Sequence, residues 1–271
     1  MKLEPGAALY IAEFTKSGTW LVWPEDNERS DITNLIRLLT DCVDEAAVAL
    51  TLFEDARIKD QALHASWDAR WEARVAKERE LQDQYDMEIP AGLSVREEMK
   101  LSDANRERAT LETKHWQWQQ GEWPNHYQRL LSSIHARTFI YAFDTLAGAL
   151  QQLLKVSGIP AKVKEADQEF RKAFPDLRAV RNAAHHNEEF AQGKSFGKRI
   201  DLKAVKTPLI ETQPGIMVSE LLTDNLYSRT TADGGVGEVP VSSEALGFAK
   251  LIVQSVIDSL EWEGSPERLP R

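Results

Sequence analysis

The strongest constraint on this chain is an apolar repeat near its start. Ile32, Leu35, Ile36, Leu39, Cys42, Val43, Ala46, Ala49 and Phe53 recur at intervals of three and four. Such spacing places them on one face of an α-helix, and that face must be covered by other parts of the chain. A second repeat, Phe139, Phe143, Leu146, Leu150 and Leu153, follows Pro124, a residue suited to a first helical turn, and closes at Gly158 and Pro160. A third, Ala249, Ile252, Val253, Val256 and Leu260, lies near the end. Helices with stripes of this kind bury them against one another, so a mainly α fold is expected. Ser30 or Asp31 is the expected cap of the first helix, and Ser242 or Ser243 that of the last. Between the second and third stripes two more helices are expected. One spans 161–173 and is stopped by Phe174-Pro175. The other runs from 177 to about 192, with Asp176 as N-cap and Gly193 beyond its end.

Strand signals are short and peripheral. Residues 10–14 and 19–23 flank Thr15-Lys16-Ser17-Gly18 and read as a β-hairpin. Residues 199–205, 216–222, 226–231 and 236–241 read as short strands, with a turn at Asp233-Gly234-Gly235. The tail from Gly264 is expected to fray. The organisation expected is one helical domain over 1–271, with a small β insert at 194–241 before the last helix.

The stretch 54–111 departs from this plan. Charge is dense and large apolar residues are sparse, while Leu63, Trp67, Trp71 and Val75 still recur every four residues. A long helix leaving the core, a turn at Ile89-Pro90-Ala91-Gly92 and a returning helix would make a protruding helical hairpin. Such a hairpin needs ion pairs along its length or a partner surface. Eight tryptophans are present, and Trp67, Trp71, Trp116, Trp118 and Trp123 fall in or beside this excursion. Either they staple the two helices together or they form an aromatic contact face for a protein partner.

Composition narrows the function. With 33 Lys or Arg against 43 Asp or Glu, the net charge is -10, which excludes a protein that coats nucleic acid with its whole surface. The single cysteine, Cys42, excludes an intrachain disulfide and a multi-cysteine metal cluster and reads as a buried apolar residue. No apolar run is long enough to span a membrane. The N-terminus lacks the basic start and apolar run of a secretory signal, so a cytoplasmic location is expected. HExxH, GxSxG and a phosphate-binding Gly-Lys-Ser/Thr loop are all absent, and no metal or other cofactor is expected.

One segment carries chemistry. From Asp176 to Glu189 the chain reads Asp-Leu-Arg-Ala-Val-Arg-Asn-Ala-Ala-His-His-Asn-Glu-Glu. On a helix of about 100° per residue, Leu177, Val180 and Ala184 form a buried stripe. Arg181, His185, Arg178, Glu189, Asn182 and His186 then share the polar arc from roughly 40° to 180°. Imidazoles titrate near neutrality and can move a proton to or from a ribose or leaving oxygen. Guanidinium groups can clamp a phosphate. Residues 161–206 hold eleven Lys or Arg against seven Asp or Glu, so a local excess of positive charge sits on an acidic chain. The bland alternatives are an ion pair for Arg181 with Glu188 or another carboxylate, and a solvent-facing role for the histidines and glutamates.

Arg181-Asn182-Ala183-Ala184-His185-His186 resembles the Arg–polar–x3–His signature of HEPN domains, α-helical proteins that are frequently metal-independent ribonucleases. The helix order over about 124–262 is similar as well. The resemblance implies an endoribonuclease in which Arg181 binds the scissile phosphate, Asn182 supports it, and His186 is the acid or base for attack by the ribose 2'-hydroxyl. Arg178, His185 and Glu189 join as candidate substrate contacts because they share the polar arc. RNA as substrate, a homodimer and a toxin–antitoxin or antiviral setting are further implications of the resemblance. A non-catalytic HEPN-like dimerisation or interaction module is the alternative.

Overall fold

The computed structural model describes residues 3–206 and 211–270. The fold is mainly helical, with eight helices among the described residues. The chain divides into two compact units, one formed by residues 1–6 and 55–132 and the other by 7–54 and 133–271.

The larger unit opens with two short strands, β1 (Phe14–Lys16) and β2 (Trp20–Leu21). They do not form the hairpin expected from the intervening turn. β1 pairs with 267–269, setting Phe14 opposite Leu269, and β2 pairs with 262–263, setting Leu21 opposite Trp262. The tail expected to fray is therefore built into the fold. Gly18 makes this possible, because a Cβ there would lie 2.8 Å from the Glu263 backbone nitrogen and closer still to its carbonyl. Gln254 adds a clamp: its side chain accepts from Thr15 N (3.0 Å) and donates to Thr15 O (2.8 Å).

Helix α1 (Asp26–Ala65) begins before the expected Ser30 or Asp31 cap, with Asp26 and Glu28 in its first turn, where the helix dipole favours carboxylates. Ile32, Ile36, Leu39, Cys42, Val43, Ala46, Ala49 and Phe53 are buried as the repeat requires, and Leu35 packs partly buried against the same core.

The smaller unit holds α2 (Trp67–Asp86) and α3 (Val95–Gln119), which lie against each other as a helical pair. The reversal at 87–94 uses Gly92 at φ +90° and closes on Ser94, whose N–H donates to Glu97 Oε2 (2.9 Å). Tyr85, Ala109 and Thr113 are the buried residues of the two helices. The pair is therefore held by polar cross-links: Tyr85 to Glu112, Asn105 to Asp86 (2.9 Å), Thr110 to Glu78 (2.5 Å), and Arg108 over the Tyr85 ring (3.9 Å).

Helix α4 (Asn125–Leu153) brings the second stripe into the larger unit, where Phe139, Phe143, Leu146, Leu150 and Leu153 are buried. Helix α5 (Ala161–Ala173) follows, and Phe143, Phe170, Phe174 and Phe248 form an aromatic cluster with ring centroids 4.9–6.0 Å apart. The single helix expected from 177 to about 192 is broken. It becomes α6 (Leu177–His185) and α7 (Asn187–Ala191), with His186 at φ -96°, ψ 45° between them.

Seven short strands come next. β3 (Lys194–Ser195) and β4 (Lys198–Arg199) form a tight hairpin, and β5 (Val205–Lys206) pairs with β6 (Glu211–Thr212). β7 (Leu221–Thr223), β8 (Leu226–Thr230) and β9 (Val236–Pro240) form an antiparallel sheet in that order. The expected strand at 199–205 survives only at its two ends, and that at 216–222 shrinks to its C-terminal part. The Asp233-Gly234-Gly235 turn is present, with Asp233 accepting from Gly235 N (3.2 Å). Helix α8 (Ser243–Asp258) starts from Ser242, whose hydroxyl accepts from Ala245 N (3.2 Å). β10 (Trp262–Glu263) and β11 (Glu267–Leu269) complete the chain. No helix among the described residues is long and apolar enough to cross a membrane.

Candidate functional site

Helix α6 is placed by close contact with the β7–β8–β9 sheet. Leu177, Val180, Ala183 and Ala184 are its buried face. At β9 the contact is so close that only glycine fits: a Cβ on Gly237 would lie 2.8 Å from Val180 Cγ2 and 3.2 Å from Asp176 Cβ. Asp176 does not cap α6 through its side chain. It accepts instead from Glu238 N (3.1 Å), tying the helix start to β9.

The break at His186 redirects the chain so that Phe190 is buried. The His186 carbonyl restarts the helix by accepting from Glu189 N (3.1 Å) and Phe190 N (3.2 Å). Arg229 of β8 holds this corner from beneath. It is 1% exposed, donates to Asn187 Oδ1 (2.5 Å), and lies 5.8 Å above the Phe190 ring. Its Nε finds no hydrogen-bond partner. A buried guanidinium is thus hydrogen-bonded to the residue that follows His186.

The polar arc divides by its own spacing: Arg178, Asn182 and His186 follow one another at intervals of four, while Arg181 and His185 fall on an adjacent side. A cleft of about 360 Å³ is lined by Arg178, Asn182 and His186, with Phe190, Ser195 and Phe196 opposite. Arg178 is exposed and has no carboxylate partner among the described residues. Its charge is available to a ligand. Arg181 lies outside the cleft: its Nε pairs with Asp144 Oδ2 of α4 (3.0 Å), and Nη1 donates to Asn182 Oδ1 (3.1 Å). The motif arginine expected to bind phosphate is thus held by a carboxylate one helix away. His185 does not line the cleft either. It is exposed and meets His186 edge to face, ring centroids 5.0 Å apart. Glu189 is not among the residues lining the cleft; it accepts from Gly197 N (3.3 Å) at the β3–β4 hairpin.

That hairpin presents Phe196 to the cleft. Phe196 has φ +50° and Gly197 φ +73°, the paired positive values of a tight hairpin turn. A non-glycine residue there is strained, and the ring is also 71% exposed, 6.0 Å from His186. Strain and exposure at one aromatic beside a basic cleft suit a stacking contact. Sequence reasoning missed Phe196, Asp144 and Arg229. The last was detectable as a lone arginine inside a strand-like run.

The tryptophans are not fully buried between the two helices. Trp67, Trp71 and Trp118 are each about half exposed and, joined by Trp123, line a groove of the smaller unit; Trp116 lies outside it. Among the described residues no group of three or more His, Cys, Asp or Glu is placed to hold a metal ion. Comparison with protein-family models, curated proteins and solved structures finds no match to this chain.

Proposed function

We propose that the larger unit is a HEPN-like, metal-independent endoribonuclease site. The observation that carries this reading is the cleft itself, which gathers an unpaired guanidinium, an amide and an imidazole beside an exposed phenyl ring. Arg178 takes the phosphate, a role the sequence motif assigned to Arg181. Asn182 offers its amide nitrogen, its oxygen being engaged by Arg181. Neutral His186 accepts the proton of the ribose 2'-hydroxyl as the 2'-oxygen bonds to phosphorus. The bond from phosphorus to the 5'-oxygen breaks, and that oxygen takes a proton from water. The products are a 2',3'-cyclic phosphate and a 5'-hydroxyl. Phe196 stacks on a flanking base.

A non-catalytic interaction module is the second reading. The Arg181–Asp144 ion pair favours it, since it gives the motif arginine a carboxylate partner outside the cleft. Incubation of the protein with mixed RNA in EDTA, followed by analysis of product ends, separates the two. The ribonuclease reading expects cyclic phosphate ends, lost by roughly a hundredfold or more in His186→Ala and strongly reduced in Arg178→Ala. Absence of cleavage, or equal cleavage by His186→Ala, moves the assignment to the module.

A further inference from the structure

The smaller unit carries a second site that the cleft does not explain. Trp67 and Trp71 are one helical turn apart on α2, and Arg70 and Arg74 alternate with them. Lys114 and Trp118 repeat the pattern on α3. All six line one groove of about 360 Å³, completed by Trp123 and Asn125, a size within the range of small-ligand sites, roughly 300–1,000 Å³.

Charge in the groove is one-sided. Its single carboxylate, Glu122, is already engaged by Arg70 (3.0 Å) and by Gln117 Nε2 (3.1 Å). Arg74 lies 5.3 Å from the Trp71 ring and has no carboxylate partner among the described residues, and neither has Lys114. The groove therefore presents two uncompensated cations among four tryptophan rings. Half-exposed indoles cost free energy in water unless something covers them. The cover must be anionic and flat, because cations would be repelled and because no Leu, Ile, Val, Met or Phe lines the groove to receive an aliphatic side chain.

We propose that this groove binds single-stranded nucleic acid, with bases stacked on Trp71 and Trp118 and backbone phosphates on Arg74 and Lys114. Alternation of aromatic and basic side chains is the arrangement that sequence-tolerant strand binding requires. The inference stands apart from the ribonuclease reading, and its test uses strands that 2'-hydroxyl attack cannot cut.

Fluorescence anisotropy of a short labelled 2'-O-methyl oligouridylate and of an oligothymidylate is measured against the whole protein at low salt. Binding of either supports the site, and the two arms decide between RNA and DNA. Trp71→Ala and Trp118→Ala should each weaken binding about tenfold. Lys114→Glu should weaken it and flatten its salt dependence. Should an alanine variant fold poorly by circular dichroism, Trp71→Phe and Lys114→Glu carry the test: the first binds less tightly than wild type but measurably, the second least. No binding of either strand, binding indifferent to these substitutions, or equal displacement of the strand by an acidic peptide would overturn the proposal.

Discussion

Gly237→Ala tests the packing that places the cleft. Gly237 is buried in β9, and a Cβ there would stand 2.8 Å from Val180 Cγ2, 3.0 Å from Thr231 Cγ2 and 3.2 Å from Asp176 Cβ. Carbon atoms in contact prefer about 3.5–4.0 Å, so all three contacts are too close. Val180 and Thr231 are β-branched and have few rotamers to escape into. Helix α6 must lift by several tenths of an ångström, stretching the 3.1 Å bond from Glu238 N to Asp176. Overpacking of this kind costs about 1–3 kcal/mol. Gly247 is the control: it is exposed in α8 with nothing within 4 Å of its added Cβ, so Gly247→Ala should stabilise by about 0.5–1 kcal/mol. Urea unfolding followed by circular dichroism reads both, as midpoints moving in opposite directions. The double variant Val180→Ala, Gly237→Ala removes the nearest clash and should lose less than the sum of the single losses by at least about 0.5 kcal/mol. A Gly237→Ala midpoint at or above wild type, or strict additivity in the double variant, would refute the argument that α6 is seated by this contact.

Alkali should destabilise the fold. Burial pushes the Tyr227 hydroxyl from 10.0 up to about 12, aided by the charge of Glu220, and burial with Glu45 and Asp41 pushes the Cys42 thiol from 9.0 up to about 12. Both groups stay protonated in the fold and ionise in the unfolded chain. Their contribution is complete below pH 9 and is lost as pH rises toward 12. The urea midpoint should fall above pH 9, and Tyr227→Phe should flatten the decline above pH 10. Gly18→Ala should drive 262–269 off β1 and β2, because its Cβ would enter the Glu263 backbone. Faster proteolysis in the last ten residues would show it, and unchanged cleavage would count against the close crossing. Asp144→Asn should cost about 1 kcal/mol or less, since Arg181 is 35% and Asp144 17% exposed and solvent weakens the pair. A cycle with Arg181→Ala should be non-additive in unfolding midpoints, whereas additivity would deny the pair.

Much of the helical framework was legible because burial imposes a period on the sequence. The stripes of Ile32 to Phe53, Phe139 to Leu153 and Ala249 to Leu260 each bury the face their spacing indicates. The reading that placed 10–14 against 19–23 failed because a local turn signal cannot reveal a competing partner nearly 250 residues away. β1 and β2 find Leu269 and Trp262, both packed partly buried against the core, and the Gln254 clamp adds two hydrogen bonds that a hairpin would lack. The tryptophan positions were only partly legible for a related reason. Spacing every four residues reports a shared face, but not whether that face turns inward. On α2 and α3 the buried residues are Tyr85, Ala109 and Thr113, and Trp67, Trp71 and Trp118 stay about half exposed.

The candidate site shows the same limit at closer range. A helical wheel assumes one continuous axis, and for Arg178, Arg181, Asn182 and His185 that assumption holds within α6. It ends at His186, where an exposed Asn187 gives its side-chain oxygen to the buried Arg229 and the helix begins again. Arg178, Asn182 and His186, spaced by four, line the cleft together, and Arg181 and His185 fall on an adjacent side of the helix. The partners are what 176–189 does not encode: the corner at Asn187 is held by an arginine some forty residues later whose cation is nearly inaccessible to water, and Arg181 pairs with an aspartate almost forty residues earlier. Replacing a buried, hydrogen-bonded cation without refilling its place is among the costliest changes a protein can suffer. The corner that follows His186 is therefore tied to β8 through Asn187 and Arg229.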